Sequence, residues 1–187
     1  RSSMTRKPDP KHSTHLVISA IGEDRPGLVE SLSRAVLESG CSIEDSRMSV
    51  LGGHFAVIML ASGNWNTLSK LDNALDQLRK QQFLEIISQR TTQRSPSARA
   101  LPYGVDVVAL DQPGIVHQLA GFFSARGINI QEMSTHAYNA AHTATPMFAA
   151  HLTVELPATE HIASLRDDFL DFCDELNLDG VIEPIKG

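Results

Sequence analysis

Asp24-Arg25-Pro26-Gly27-Leu28-Val29 recurs 87 residues later as Asp111-Gln112-Pro113-Gly114-Ile115-Val116. With the same offset Leu32 falls on Leu119, Gly40 on Gly127 and Ile43 on Ile130, so seven of the twenty residues 24–43 match those of 111–130. The matching types are Asp, Pro, Gly, Val, Leu, Gly and Ile, which are turn punctuation and core. Such self-similarity marks a duplicated unit. The period is too long for a solenoid, so the chain is read as two similar domains.

Working outward from the motif, each copy opens with a strand. Leu16, Ile18 and Ala20 alternate with Val17, Ser19 and Ile21, and Tyr103, Val105, Val107 and Ala109 do the same around Asp106. Mostly apolar strands of this kind suit the middle of a sheet. A helix follows the turn. Leu28, Val29, Leu32, Ala35 and Val36 share one helical face, as do Ile115, Val116, Leu119, Phe122 and Phe123. Gly40 and Gly127 then stand where a helix end wants positive φ.

A strand from Ile43, a Gly52-Gly53 turn and the strand Phe55–Ala61 read as a hairpin. Leu68, Leu71, Leu75 and Leu78 mark a second helix, and Phe83–Gln89 a last strand. The order is βαββαβ, the split βαβ arrangement of ferredoxin-like α+β folds. In the second copy Phe55 matches Phe148, an offset of 93 rather than 87, so the hairpin is six residues longer, within Ala137–Pro146. There Leu152–Leu156 completes the third strand, Ile162–Leu176 is the second helix, and Val181, Glu183 and Ile185 form the last strand. The domain plan is therefore a mobile segment 1–14, a first domain 15–90, a polar linker 91–102 and a second domain 103–187, with Met4 read as the native start.

Composition narrows the function classes. In 187 residues there are 16 Lys plus Arg and 22 Asp plus Glu, a net charge of −6. Gripping nucleic acid directly needs a surplus of cations, so no direct DNA binding is expected. The longest apolar run, Phe55–Ala61, is too short to cross a bilayer, which takes about 20 helical residues. Cys41 and Cys173 show no zinc spacing, and a reducing cytoplasmic location is the default expectation.

The doubled junction is the element with binding chemistry. Asp24 and Asp111 can cap the following helix, Pro26 and Pro113 suit its first turn, and Gly27 and Gly114 allow close approach of a ligand. The free N–H groups of a first turn and the helix dipole favour a small anion such as an amino-acid carboxylate. Capping and turn geometry alone account for one such junction; two at equivalent places strengthen the binding reading.

Asp-Arg-Pro-Gly-Leu-Val, followed by Gly40-Cys41-Ser42-Ile43, resembles an ACT domain, and the second copy resembles another. The resemblance covers about residues 15–90 and 103–186, with antiparallel sheets joined side by side as one arrangement it allows. The whole is similar to the glycine cleavage system transcriptional repressor group, which are tandem ACT proteins. That resemblance implies a non-enzymatic regulator that senses a small amino acid, glycine first. It implies negative regulation of glycine cleavage genes through a partner such as a transcription activator, without a cofactor. It places ligands where two domains meet, between the first loop of one and the second strand of its neighbour. The loop residues are Asp24, Arg25, Pro26, Gly27, Leu28 and Val29, with Asp111, Gln112, Pro113, Gly114, Ile115 and Val116 in the second copy. The facing segments, Cys41–Asp45 and Ile128–Glu132, contribute Ile43, Glu44, Asn129 and Ile130. Gln112 in place of Arg25 and the longer hairpin rank the first loop above the second. A second copy of the chain is a candidate partner, because an edge strand invites pairing.

An alternative is an ACT-type regulatory subunit of an amino-acid or folate-related enzyme. Within the chain no catalytic constellation is found. The histidines show no metal-ligand spacing, Cys41 is read as a small buried residue, Arg90, Arg94 and Arg99 as a solvated linker, and Asp167, Asp168, Asp171, Asp174 and Glu175 as an exposed helix face.

Overall fold

The computed structural model describes residues 14–82, 84–92 and 100–186. The chain divides into two compact units, Arg1–Arg94 and Ser95–Gly187. Unit 1 runs β1 (His15–Glu23), α1 (Leu28–Glu38), β2 (Ser42–Leu51), β3 (His54–Ser62), α2 (Trp65–Gln82) and β4 (Glu85–Thr91). Unit 2 repeats the order as β5 (Ala100–Leu110), α3 (Ile115–Ser124), β6 (Asn129–Asn139), β7 (Pro146–Pro157), α4 (Ile162–Glu175) and β8 (Asp179–Pro184). Each unit is one four-stranded antiparallel sheet, ordered β2-β3-β1-β4 and β6-β7-β5-β8. These are two ferredoxin-like βαββαβ units, with the mostly apolar opening strands, β1 and β5, between neighbours as expected.

The core of unit 1 is aliphatic. Leu16, Ile18 and Ala20 of β1 meet Leu28, Leu32 and Val36 of α1 and Leu68, Leu71 and Leu75 of α2. Full burial of each Leu is worth about 1.5–3 kcal/mol. Unit 2 replaces part of this with rings: Phe122 packs edge-on against Phe123 and Phe169 at 5.1 and 5.5 Å, and the Arg126 guanidinium lies 3.7 Å from the Phe122 ring centroid.

The helix ends behave as the glycines predict. Gly40 (φ 82°) and Gly127 (φ 67°) take the left-handed conformation after α1 and α3, and the next amides, of Cys41 and Ile128, turn back to Val36 O and Phe123 O. That is a Schellman ending. Gly52 and Gly53 are both left-handed, which a two-residue hairpin loop requires. The second hairpin instead spans residues 140–145, closed by Ala140 N donating to Thr145 O at 2.9 Å.

Several expectations need correction. Val29 and Val116 are not core residues: both are exposed, one position off the buried stripe of their helices. In β8 the inward residue is Ile182, while Val181 is exposed and Ile185 lies beyond the strand, so the expected alternation is out by one. Arg90 is not a solvated linker residue. It sits in β4 on the helix side, where its Nη2 donates to Asp72 Oδ2 at 3.1 Å and Ser69 Oγ at 3.2 Å. Arg94, Arg99 and Phe83 lie outside the described residues, as does the N-terminal segment up to residue 13. Strand β5 already begins at Ala100, inside the stretch expected to be linker. Cys41 and Cys173 are buried free thiols. No described helix is long and apolar enough to cross a membrane.

Candidate ligand-binding site

The two junctions are built alike. At the end of β1, Asp24 N donates to Gly53 O at 3.0 Å, and at the end of β5, Asp111 N donates to Pro146 O at 3.0 Å. Gly27 (φ 92°, ψ −3°) and Gly114 (φ 89°, ψ 2°) are the N-cap residues of α1 and α3, and their carbonyls accept from Ser31 N and Gln118 N at 2.9 and 3.0 Å.

The expected aspartate caps are absent. Neither α1 nor α3 has a side-chain cap hydrogen bond, because glycine occupies the cap position and the aspartates stand three residues earlier. Pro26 and Pro113 precede the cap rather than filling the first helical turn. The other two helices are capped. Asn64 Oδ1 accepts from Thr67 N at 2.9 Å while Thr67 Oγ1 accepts from Asn64 N at 2.9 Å, and His161 Nδ1 accepts from Ser164 N at 3.4 Å. The duplicated junctions thus lack the device that the other helices use, and their first-turn N–H groups have no side-chain acceptor at the cap. Such an end favours an anion.

Glycine is needed here for its backbone. A Cβ at Gly27 or Gly114 would meet nothing within 4 Å, so space is open and positive φ is the constraint. Leu28 and Ile115 turn into the core and are only 2% exposed. Val29 and Val116 are 44% and 41% exposed, so each junction shows an apolar side chain beside its open helix end.

The two copies then diverge. Arg25 lines a cleft of about 620 Å³ with Ile21, Gly22, Glu23, Asp24, His54 and Glu85. Gln112, at the equivalent place, donates from Nε2 to Leu176 O at 3.2 Å and so ties its loop to the end of α4. His54 and Glu85 escaped the sequence reading because strand register puts them there: His54 pairs with Glu23 and Glu85 with Ile21. The Gly52-Gly53 turn was the signal that could have placed His54 opposite the end of β1.

The second-strand residues are elsewhere within each unit. Ile43 pairs with Ala61 and Ile130 with Val154, whereas the junctions adjoin Gly53 and Pro146. At about 3.3 Å per residue the separation along the sheet exceeds 20 Å, roughly its whole length. The structure therefore does not bring Ile43 and Glu44, or Asn129 and Ile130, to the junction of their own unit. Ile43 lines a different groove of about 550 Å³, with Val36, Leu37 and Cys41. Glu44 sits at a bulge in β2 and its Oε1 accepts from Ser62 Oγ at 2.6 Å. Asn129 begins β6 and Ile130 packs against the unit 2 core.

Among the described residues no cluster of three or more metal-ligating side chains occurs. His151 instead meets Asp106 at 2.6 Å, and His136 lies beside Tyr138 with ring centroids 5.4 Å apart.

Two ferredoxin-like units in one chain, each opening its first helix on an uncapped glycine, define a tandem protein of the ACT type, and the ACT domain family model matches residues 14–88. The chain is 33% identical over 172 residues to the glycine cleavage system transcriptional repressor of Escherichia coli (strain K12), covering 92% of this chain and 90% of that one. It belongs to the family of glycine cleavage system transcriptional repressors. Among solved structures, a protein provisionally assigned as such a repressor superposes with a TM-score of 0.72 at 28% identity, over 94% of this chain and 99% of the other. An unknown protein from Galdieria sulphuraria superposes with a TM-score of 0.75 at 27% identity, over 94% and 100%.

Proposed function

We propose that this chain is an amino-acid-responsive regulatory protein, with glycine the leading ligand, that represses glycine cleavage genes through a partner transcription regulator and catalyses no reaction. The observation that carries the reading is the pair of uncapped helix starts at Gly27 and Gly114, in a fold where the other two helices are capped by side chains. An amino-acid carboxylate would accept from the first-turn amides, and carboxylates such as Asp24 would receive the ammonium group. Because Ile43 and Glu44 stand far from the junction of their own unit, a site containing both would be completed by a neighbouring ACT unit. Ligand binding would then favour one arrangement of units over another and shift affinity for the partner by linkage. A net charge of −6 favours a protein partner over direct contact with DNA.

Titration calorimetry of the full chain with glycine, serine and alanine tests the reading. Saturable binding that is lost in Gly27→Val or Gly114→Val, with the fold retained, supports it. Absence of binding at cellular amino-acid concentrations overturns the sensing role. Recovery of a transcription regulator by the tagged chain from cell extract, with a yield that changes on adding glycine, supports the partner role; a yield indifferent to glycine overturns the coupling.

A further inference from the structure

Duplication kept some groups at the two junctions and changed others. Asp24 and Asp111 follow the first strand of each unit, and Glu85 and Asp179 stand opposite Ile21 and Val108, three residues before them. Each junction thus carries the same two carboxylates, which suit the ammonium group common to amino acids. The uncapped glycine is also common to both. The difference lies in the last cross-strand pair before the loop. In unit 1 it is Glu23 opposite His54, and in unit 2 it is Leu110 opposite Met147. Both pairs adjoin the anchoring hydrogen bond, since Gly53 and Pro146, whose carbonyls accept from Asp24 N and Asp111 N, immediately precede His54 and Met147. Both lie on the sheet face turned away from the core, because the next residues along, Phe55 and Ala109, are buried.

The two walls have opposite chemistry. Glu23 and His54 line the unit 1 cleft. His54 Nδ1 lies 3.2 Å from Gly52 O, and a carbonyl only accepts, so Nδ1 carries the proton and Nε2 of the neutral ring is an acceptor. With the Glu23 carboxylate this wall offers acceptors, and covering it with hydrocarbon would strip water from them without return. In unit 2 Leu110 is 62% exposed and Met147 is half-buried, so the wall is hydrocarbon and an adaptable thioether. A ligand side chain gains there about fourfold in affinity for each methylene it buries. Gln112 does not restore polarity, because its Nε2 is engaged with Leu176 O.

Granted that the junctions bind amino acids, as proposed above, we propose that they select different ones. The Gly27 junction takes glycine or an amino acid whose side chain ends in a hydrogen-bond donor, and the Gly114 junction takes one with an aliphatic side chain. Glu23 with His54, and Leu110 with Met147, are the specificity-determining pairs. One chain then reports on two classes of amino acid instead of twice on one. Each pair belongs to the junction of its own unit, so the contrast needs no residue from a neighbour.

Amide shifts of Gly27 and Gly114 in the full chain labelled with nitrogen-15 read the two junctions separately. Threonine and valine have nearly the same shape and differ by a hydroxyl in place of a methyl, so titrating both isolates polarity from volume. The Gly27 amide should titrate with glycine, and with threonine about fourfold more tightly than with valine. The Gly114 amide should show the reverse order. Glu23→Leu/His54→Met should turn the order at Gly27 towards valine and leave that at Gly114 unchanged, with circular dichroism confirming the fold. The same order at both junctions overturns the proposal, and so does an order at Gly27 that the double variant does not move. Shifts with glycine alone, and none with threonine or valine, overturn it while leaving the amino-acid reading intact. No shift at either junction with any of the three overturns both. If the double variant fails to fold, the orders at the two wild-type junctions decide alone.

Discussion

The backbone amide of Asp24 donates to the carbonyl of Gly53 at 3.0 Å, so the β1–α1 junction is anchored to the tip of the β2–β3 hairpin. The second unit keeps the anchor although its hairpin is longer, because Asp111 N takes Pro146 O, at the start of β7, as acceptor. The inserted residues 140–145 close on themselves beyond that point. Duplication and insertion have therefore left the junction backbone unchanged, as the near-identical φ and ψ of Gly27 and Gly114 record.

Those dihedrals give the first prediction. Gly27→Ala and Gly114→Ala should each destabilise by about 1–2 kcal/mol, the cost of forcing an L-residue left-handed. No clash adds to it, since the space around both glycines is open. Asn at either position should cost less, because its side chain tolerates this region better than Ala. Urea denaturation of each variant measures the difference.

Gly180 is constrained by packing instead. A Cβ there would lie 2.6 Å from Cys173 Sγ and 3.0 Å from Phe169 Cε1. Gly180→Ala should therefore cost about 1–3 kcal/mol through overpacking. Cys173→Ala alone leaves a small void, but it removes the atom that collides. The double variant should consequently be more stable than the sum of the single effects predicts, and a double-mutant cycle in urea measures that coupling.

Much of this architecture was legible in the sequence, for identifiable reasons. The Asp-x-Pro-Gly pair set the repeat, and Gly40, Gly127 and Gly52-Gly53 marked turns whose positive φ few other residues adopt. What escaped depended on contacts between distant residues. Val29 is about 100° around the helix from Leu28, and only the placement of the sheet decides that one is buried and the other open. Arg90 looked like the start of a charged linker because its partner, Asp72, is on another element. His54 and Glu85 reach the junction cleft through strand register. The caps were misread because Asp and Pro in a turn are compatible with several positions around a helix start, and only the backbone shows that Gly27 holds the cap.

Burial pushes the Cys173 thiol up to about 11, with Asp174 and Asp179 adding to the rise from an ordinary value of 9.0. The native state therefore keeps a proton that the unfolded chain releases first. The contribution of this residue to stability is constant below about pH 9, and it declines as pH rises from there towards 11. The urea midpoint of the wild type should fall more steeply over that interval than that of Cys173→Ala, which lacks the titrating group. At neutral pH a thiol reagent should label Cys173 only as fast as unit 2 opens.

The Arg90–Asp72 pair bridges β4 and α2 in a partly buried setting, with side-chain exposures of 20% and 37%. Arg90 Nη2 is shared between Asp72 and Ser69, while Nη1 is buried and has no acceptor. The guanidinium thus already lacks one hydrogen bond, and the Asp72 carboxylate supplies its compensating charge. Asp72→Ala should destabilise unit 1 by about 2 kcal/mol, because it leaves a partly buried cation without its counter-charge. Arg90→Met should cost less, since the stem packing survives and the unsatisfied Nη1 disappears with the charge. The double variant Asp72→Ala/Arg90→Met should recover stability relative to Asp72→Ala alone. Urea midpoints of the three variants measure the ordering, and an Arg90→Met loss larger than that of Asp72→Ala would show that the arginine's other hydrogen bonds, not its charge balance, dominate.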